Sequence, residues 1–129
     1  MDSNVLLDVF TVDPEWFPWS SSRLAAAADD AKLVVNPLIY AEVAAHFSRI
    51  EALDEALPAE VFSREPLLWT AGFLAAHAHA GYRRRGGARD RTLPDFYIGA
   101  HAAIAGHRLL TRDPRRYRAA FPSVDLIAP

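Results

Sequence analysis

The alternation of apolar and polar residues is clearest between Leu93 and Tyr117, where it predicts a helix followed by a short strand. Pro94 and Asp95 favour a helix start, because proline suits the first turn and an aspartate accepts hydrogen bonds from the free backbone N–H groups there. Apolar residues then recur at helical spacing as Ile98, Ala102 and Ala105. Gly106 favours the end of this helix, and the run from Arg108 to Thr111 predicts a short interior strand.

The rest of the chain shows further helical patterns separated by short apolar runs. Helices are predicted from Ser20 to about Ala31, from Asn36 to Ile50, from Glu51 to Glu60 with a break at Pro58, from Leu67 to about Ala80 and from Arg115 to Phe121. Strands are predicted from Lys32 to Val35 and from Val124 to Ile127. Residues 59–62 fit neither pattern, and residues 82–91 are expected to form a flexible basic connection.

Composition narrows the class of protein. A chain of 129 residues, about half of them apolar, is long enough for one domain with a core of two or three layers. It contains no apolar run near the roughly 20 residues that span a bilayer and no signal-peptide pattern, so a cytoplasmic protein without a membrane span is expected. Because the chain has no cysteine, any metal must be held by oxygen or imidazole, which favours hard cations.

The charge distribution makes any nucleic-acid surface a local one. The net charge of −2 gives no overall attraction to a polyanion. Seven arginines nevertheless lie between Arg83 and Arg112, whereas the acids are enriched before Arg64. A basic stretch of this kind leads directly to Asp95.

Two carboxylates stand at opposite ends of the helix and strand described first. Asp95 opens the helix, and Asp113 lies just past the C-terminal end of the strand, where open α/β sheets bind ligands. Glu42 lies beside the apolar face of its helix, a position that can point towards a strand end or belong to a solvated flank. Asp8 is a weaker candidate, because capping the first helix explains it equally well.

Two pairs of histidines are weak candidates for chemistry. His77 and His79 are two residues apart, which places them on different faces of a helix and makes them a poor metal pair. His101 and His107 lie at helix positions away from Asp95. A packing or surface role therefore explains them better than general-base catalysis.

Four acidic motifs, taken in order, resemble the PIN-domain family, and most closely the VapC-type toxins of bacterial type II toxin–antitoxin pairs. The matching segments are Asp2-Ser3-Asn4, Tyr40-Ala41-Glu42-Val43, Leu93-Pro94-Asp95-Phe96 and Leu110-Thr111-Arg112-Asp113. Members of that family open with a strand ending in Asp-Thr/Ser-Asn and carry a second acid in a helix after the second strand. The four matches span nearly the whole chain, which makes the resemblance more specific than any single motif.

The resemblance implies an α/β fold of PIN type, with three layers in which a short parallel β-sheet of four to five strands is flanked by helices, as one domain over residues 1–129. It also implies four catalytic, metal-binding acids: Asp2, Glu42, Asp95 and Asp113. Ser3, Asn4 and Thr111 are expected to support them. Mg²⁺ or Mn²⁺ is the expected cofactor, because these ions take oxygen ligands and lower the pKa of a bound water. Whether one ion or two bind is left open.

The activity that the resemblance implies is hydrolysis of RNA phosphodiester bonds by an endoribonuclease toxin. Arg85, Arg89, Arg91 and Arg112 are candidates for RNA phosphate contacts, with a plain solvated loop as the alternative. The family further implies a homodimer and a VapB-type antitoxin that neutralises the enzyme. The RNA, whether a transfer or a ribosomal RNA, its cut site and the identity of the antitoxin are left open.

The start of the chain departs from the family pattern. A central parallel strand normally needs about four or five residues before the first aspartate, and here Met1 alone precedes Asp2. We therefore expect either that the strand continues through Val5 or that residues are missing upstream. The second explanation leaves the activity of this chain open.

Three other functions compete with the ribonuclease. A catalytically weak PIN domain, acting as an RNA-binding or protein-interaction module, agrees with the short start. A phosphotransferase with Asp2 as nucleophile needs a second acid two residues later, and that position is Asn4. A DNA-directed nuclease shares the same metal chemistry. Only substrate tests separate it from the ribonuclease, since no residue here identifiably reads a 2′-hydroxyl group.

Overall fold

A computed structural model of the chain describes residues 1–87 and 92–129 and divides it into two compact units. The N-terminal unit comprises residues 1–66 with Pro129, and the C-terminal unit comprises residues 67–128. The helices are α1 (Ser3–Phe10), α2 (Phe17–Asp30), α3 (Pro37–Ala44), α4 (Ile50–Ala56), α5 (Trp69–Arg84), α6 (Leu93–Ala105) and α7 (Arg115–Arg118). The strands are β1 (Leu33–Val35), β2 (Phe62–Arg64), β3 (Leu109–Leu110) and β4 (Leu126–Ile127). The single domain over residues 1–129 stays a prediction.

The described strands form two short parallel pairs. In the N-terminal unit β1 pairs with β2, and Leu33 lies opposite Phe62. In the C-terminal unit β3 pairs with β4, and Leu109 lies opposite Leu126. Parallel neighbours need a crossover connection, which α3 and α4 supply in the first pair and α7 supplies in the second. The predicted α/β class with short parallel strands is therefore confirmed, although within the described residues these strands pair two by two.

The N-terminal unit is built around helix α1, which packs against α2 and α3. Val5 and Leu6 of α1 are completely buried, together with Val43 of α3. The sequence allowed a strand through Val5, and that alternative is wrong for this structure. Val5, Leu6 and Val9 recur at helical rather than alternating spacing, so a helix can bury them on one side.

A buried hydrogen bond fastens α2 to α1. The Ser20 hydroxyl donates to the Asp8 carboxylate at 2.7 Å, and the two residues are 0% and 2% exposed. The suggested capping role for Asp8 is wrong, because the residue lies inside α1 and turns its side chain inward. A buried carboxylate needs hydrogen-bond donors, and Ser20 is one of them.

We expect Ser20→Ala to lower the free energy of unfolding by about 1–2 kcal/mol, because a buried charged acceptor loses a donor. Urea denaturation followed by circular dichroism measures the change. Ser22→Ala is the matched control, since Ser22 lies on the same helix but is exposed. Equal effects of the two substitutions would show that the bond to Asp8 does not stabilise the fold.

The C-terminal unit is built on the packing of α5 against α6. Small residues of α5, Ala71 and Ala75, are completely buried, which lets the two helices approach closely. The rings of His79 and Tyr82 lie 5.1 and 5.4 Å from the ring of Phe96, measured between centroids. The neighbouring face of α5 is open to solvent, with Trp69 95% exposed and Phe73 71% exposed.

Two expectations about this part of the sequence are corrected by the structure. Helix α5 continues to Arg84, so residues 82–84 belong to the helix and not to a flexible connection. Arginine is a good helix former and is favoured at the C-terminal end of the macrodipole, so the helix continues past Gly81. The strand β2, at residues 62–64, was missed because three residues are too few to show a period.

Among the residues that the structure describes, every helix is too short or too polar to cross a lipid bilayer.

Candidate active site

Asp95 lies in the first turn of α6, where the sequence predicted it. One carboxylate oxygen, Oδ2, accepts a hydrogen bond from the backbone N–H of Thr92 at 2.9 Å, which fixes the start of the helix. The helix ends as predicted, with Gly106 in the left-handed conformation at φ 72°. The side chain of Asp95 is only 13% exposed. The position of the Asp95 side chain is therefore fixed by its hydrogen bond at the start of α6.

Asp113 follows β3, as predicted, in the loop before α7. The backbone N–H of Asp113 donates to the Thr111 hydroxyl at 3.0 Å, and Thr111 is completely buried. This bond anchors the loop to the core of the C-terminal unit. The Asp113 side chain remains 36% exposed and can reach solvent or a ligand.

Arg116 brings these two acids together. Its Nη1 atom donates to Oδ1 of Asp95 at 3.0 Å, and its Nε atom lies 3.6 Å from Oδ2 of Asp113. Asp95 and Asp113 are 18 residues apart in sequence, and within the C-terminal unit they face one guanidinium group. Arg116 is not among the site residues predicted from the sequence. Its i,i+3 spacing from Asp113 is the signal that could have indicated the pair.

Asp2 precedes α1 in the N-terminal unit and is 1% exposed. The α-amino group of Met1 donates to the carbonyl oxygen of Val34 at 3.3 Å, which ties the start of the chain to β1. Burial lowers the pKa of that amino group to about 6, against the opposing attraction of the Asp2 and Glu65 carboxylates. Asp2 is thus held in the interior of its unit.

Ser3 and Asn4 follow Asp2 on the first turn of α1. Ser3 is 6% exposed. The side-chain oxygen of Asn4 is buried and, within the part of the chain that the structure describes, accepts no hydrogen bond. A buried amide oxygen of this kind is costly unless a donor or a cation reaches it. The N-terminal unit therefore offers an oxygen that fits a hard metal ion.

Glu42 lies on α3 with an exposed side chain. The same helix begins with Asn36, whose side-chain oxygen accepts a hydrogen bond from the Ile39 backbone N–H at 2.9 Å. The N-cap role predicted for Asn36 is therefore confirmed. Asp2 and Glu42 belong to one unit and Asp95 and Asp113 to the other, so the convergence of all four acids stays a prediction.

A cavity of about 300 Å³ lies at the carboxyl ends of β1 and β2 in the N-terminal unit. Tyr40 forms part of its wall, and the Arg64 guanidinium stands over the Tyr40 ring, 5.1 Å from its centroid. Arg64 also pairs with Asp54 at 2.7 Å. Desolvation and the Asp54 carboxylate raise the pKa of the Tyr40 phenol above its ordinary value, and Arg64 opposes them. This group was not predicted from the sequence, because its members belong to three separate elements.

The arginines predicted to contact RNA lie in different surroundings. Arg85 is exposed directly after α5, and Arg112 is half-buried between Thr111 and Asp113. Arg89 and Arg91 lie outside the described residues. The phosphate contacts of all four stay predictions.

The histidines of α6 and its following turn pack against each other. The rings of His101 and His107 meet edge to face at 5.8 Å between centroids, and His101 is 6% exposed. On α5, the His77 ring lies 4.3 Å from the Phe73 ring. The packing or surface role expected for His101 and His107 stays a prediction.

The donors in both units suit a hard divalent cation. The C-terminal unit offers the carboxylates of Asp95 and Asp113, and the N-terminal unit offers the buried oxygen of Asn4 beside Asp2. Mg²⁺ and Mn²⁺ prefer such oxygen ligands. The residues present therefore fit the metal that the family resemblance implies.

Comparisons with known proteins identify the family and the fold of the chain. A family model described as PIN domain matches residues 1–122. No functionally curated protein matches the chain. The crystal structure of VapBC2 from Rickettsia felis bound to a DNA fragment from their promoter is similar in fold, with a TM-score of 0.73 at 14% identity over 99% of this chain and 96% of that chain. Because the family match extends over nearly the whole sequence, the chain belongs to the PIN-domain family.

Proposed function

We propose that this PIN domain is a Mg²⁺- or Mn²⁺-dependent endoribonuclease of the VapC type, the toxin of a type II toxin–antitoxin pair. The observation that carries the proposal is the pairing of Asp95 with Asp113 on one guanidinium group, in a chain of the PIN-domain family. Two carboxylates that approach each other repel, and the Arg116 guanidinium offsets that repulsion here. A cytoplasmic location belongs to the same proposal.

Each proposed site residue has its own task. Asp2 and Asp95 are the candidates for direct metal ligands, and Glu42 and Asp113 complete the acidic set directly or through water. Thr111 fixes the loop that carries Asp113, through the hydrogen bond to its backbone N–H. Ser3 and Asn4 support the first acid, and the buried oxygen of Asn4 is available to the same ion.

The metal would supply a positive charge that offsets repulsion between acids and substrate, and would make a water nucleophilic near neutral pH. The acids hold that charge where the substrate phosphate arrives. In the hydrolysis a water oxygen bonds to phosphorus while the bond between phosphorus and the 3′ oxygen breaks, the departing 3′ oxygen takes a proton, and the products are a 5′-phosphate and a 3′-hydroxyl.

The test of the proposal is cleavage of a mixed pool of transfer and ribosomal RNA by the purified chain. Reactions with Mg²⁺ or Mn²⁺ are compared with reactions in EDTA, and cut ends are mapped by sequencing. Discrete cuts that need metal are the expected result. A pool that stays intact with every metal and after addition of apolar residues before Asp2 would reject the ribonuclease. Parallel reactions with single-stranded DNA of the same sequences separate it from a DNA-directed nuclease.

The basic segment that leads to Asp95 is the proposed RNA-binding surface. Replacing Arg85, Arg89 and Arg91 together by alanine should weaken RNA binding and flatten its dependence on salt. Three lost contacts, at about 0.7 each for single strands, reduce the slope of log K against log salt concentration by about 2. Fluorescence anisotropy with a labelled RNA over a salt series measures both quantities.

The matched control removes the same charge elsewhere. Arg23, Lys32 and Arg49 are all exposed in the N-terminal unit. Their triple alanine variant should bind RNA with a salt slope within about 0.5 of the parent value, since general charge loss affects long-range attraction more weakly than phosphate contact. Equal salt slopes for the two triple variants would show that the segment before Asp95 makes no specific phosphate contacts and is a solvated surface.

A VapB-type antitoxin and a second copy of the chain are the proposed protein partners. The fold similarity to a chain of the VapBC2 complex supports the first. The solvent-exposed side chains of Leu68, Trp69 and Phe73 support the presence of a protein interface on α5, since large apolar groups are enriched there. Light scattering after size exclusion gives the oligomeric state.

A catalytically weak binding module remains the second candidate. The ion pairs of Arg116 favour it, because a cation already neutralises part of the charge of Asp95 and Asp113. In that case the RNA pool would be bound but not cut, with or without metal. The anisotropy and cleavage measurements together separate the two functions.

A further inference from the structure

Arg116 contacts the two acids that the proposed function assigns to a metal ion. Its guanidinium contacts Oδ1 of Asp95 through Nη1 and lies at ion-pair distance from Oδ2 of Asp113 through Nε. The other oxygen of Asp95 accepts a hydrogen bond from the Thr92 backbone N–H. Both oxygens of Asp95 are therefore engaged by donors from the chain itself.

The electrostatic situation explains why a cation is held there. Asp95 and Asp113 have side chains that are 13% and 36% exposed, so water screens them only in part. Two carboxylates that approach each other in such surroundings repel. A positive group between them removes the repulsion, and in the described C-terminal unit Arg116 provides it.

A guanidinium and a metal ion cannot use the same oxygen in the same way. Mg²⁺ and Mn²⁺ bind carboxylate oxygens at about 2.0–2.2 Å, inside the 3.0 Å that separates Nη1 of Arg116 from Asp95. Two cations at such distances from one oxygen would repel strongly. A metal ion at Asp95 is therefore bound more weakly while Arg116 stays in place, and its binding favours movement of Arg116 away from the acid.

The structure gives Arg116 room to do so. Its side chain is 26% exposed, and it lies on α7, a helix of four residues whose other arginines, Arg115 and Arg118, are exposed. Its neighbour Tyr117 is completely buried and anchors the helix. The side chain can therefore leave the acids while the backbone stays in place.

We propose that Arg116 is a positioning residue that holds Asp95 and Asp113 together without metal and competes with the metal for them. This rests on the proposed function, because it requires the two acids to be metal ligands. Arg116 then lowers the metal affinity of the chain while it stabilises the metal-free fold. Its removal affects these two properties in opposite directions, which a residue that only stabilises structure does not do.

The experiment is titration calorimetry with Mn²⁺ alone on the full chain, without RNA. We expect Arg116→Gln to bind Mn²⁺ about tenfold more tightly than the parent, which corresponds to about 1.4 kcal/mol of competition removed. Arg118→Gln is the matched control, since it removes the same charge from an exposed position on the same helix. Its affinity should stay within about twofold of the parent, because exposed charges are screened.

Thermal unfolding supplies a second readout. In EDTA, Arg116→Gln should melt below the parent, because the two acids lose their cation. Excess Mn²⁺ should raise the melting temperature of this variant by more than it raises that of the parent. Arg116→Lys keeps a positive charge but cannot contact both acids as the guanidinium does. Its Mn²⁺ affinity should therefore lie between that of the parent and that of Arg116→Gln. This variant also serves if Arg116→Gln fails to fold.

Unchanged or weaker Mn²⁺ binding by both Arg116 variants, with a parent that still binds Mn²⁺ and cuts RNA, overturns the competition and leaves the proposed function standing. Absence of Mn²⁺ binding by every variant, including those without Arg116, overturns the metal-dependent function and this inference with it. A gain in affinity that survives Asp95→Asn in the Arg116→Gln background also contradicts the proposal, because it places the gained ion elsewhere.

Discussion

Asp95→Asn should reduce metal-dependent RNA cleavage by at least about 100-fold, since loss of groups that merely support metal ligands already costs about 10–100-fold. The substitution removes the negative charge and keeps the volume of the side chain. An asparagine oxygen can still accept the hydrogen bond that Thr92 now donates to Asp95, so helix α6 keeps its start. We expect the free energy of unfolding to change by no more than about 1–2 kcal/mol, because one partly buried ion pair with Arg116 is lost.

Initial rates on one mapped RNA site, at saturating Mn²⁺, measure the effect. Asp125→Asn is the matched control, because Asp125 also belongs to the C-terminal unit and also pairs with an arginine, Arg108, at 2.8 Å. Its side chain is 70% exposed and lies outside the proposed site. An Asp95→Asn protein as active as Asp125→Asn would remove Asp95 from the site. Loss of activity in both would indicate a general dependence on charge.

Gly99→Val should lower the free energy of unfolding by roughly 3 kcal/mol or more, the upper range for overpacking a filled core. Gly99 lies one turn after Asp95 in α6, and a Cβ atom there would overlap the Phe121 ring and come within 3.1 Å of Tyr117. Phe121 and Tyr117 are 3% and 0% exposed, so neither ring can swing into solvent. The clash must be relieved by separating α6 from the segment that carries Arg116.

Ala105→Val controls for the poor helix propensity of valine, because it adds the same side chain at an exposed position of the same helix. It should cost no more than about 1 kcal/mol. Urea denaturation gives both free energies. Similar losses for the two variants would mean that the close approach at Gly99 is not needed for stability.

The sequence could predict α6 and its acid because the signals are local. Asp95 is placed by the first turn of its own helix, and Gly106 ends that helix through its left-handed conformation. The same holds for Asn36, which caps α3 from one residue before it. Capping, turn and periodicity rules act over a few residues, and a single sequence displays them directly.

The contact between Arg116 and Asp95 could not be predicted in this way. The two residues are 21 positions apart, and their meeting depends on the packing of Phe121 and Tyr117 against Gly99. Helix α1 was open to a strand interpretation for a related reason. Its burial depends on Ser20 of another helix, which satisfies Asp8 inside the apolar face. Contacts between residues distant in sequence decide both features, and such contacts produce no periodic pattern in the sequence.

The exposure of Trp69 gives the protein an intrinsic optical reporter. Trp16 and Trp19 are half-buried and meet edge to face at 6.1 Å, whereas Trp69 is 95% exposed. Indole emission moves to shorter wavelength when water leaves its surroundings, and a covered ring is shielded from soluble quenchers. Binding of an antitoxin or of a second copy at α5 would therefore change the emission without any label, while events confined to Asp95 and Asp113 would leave it unchanged.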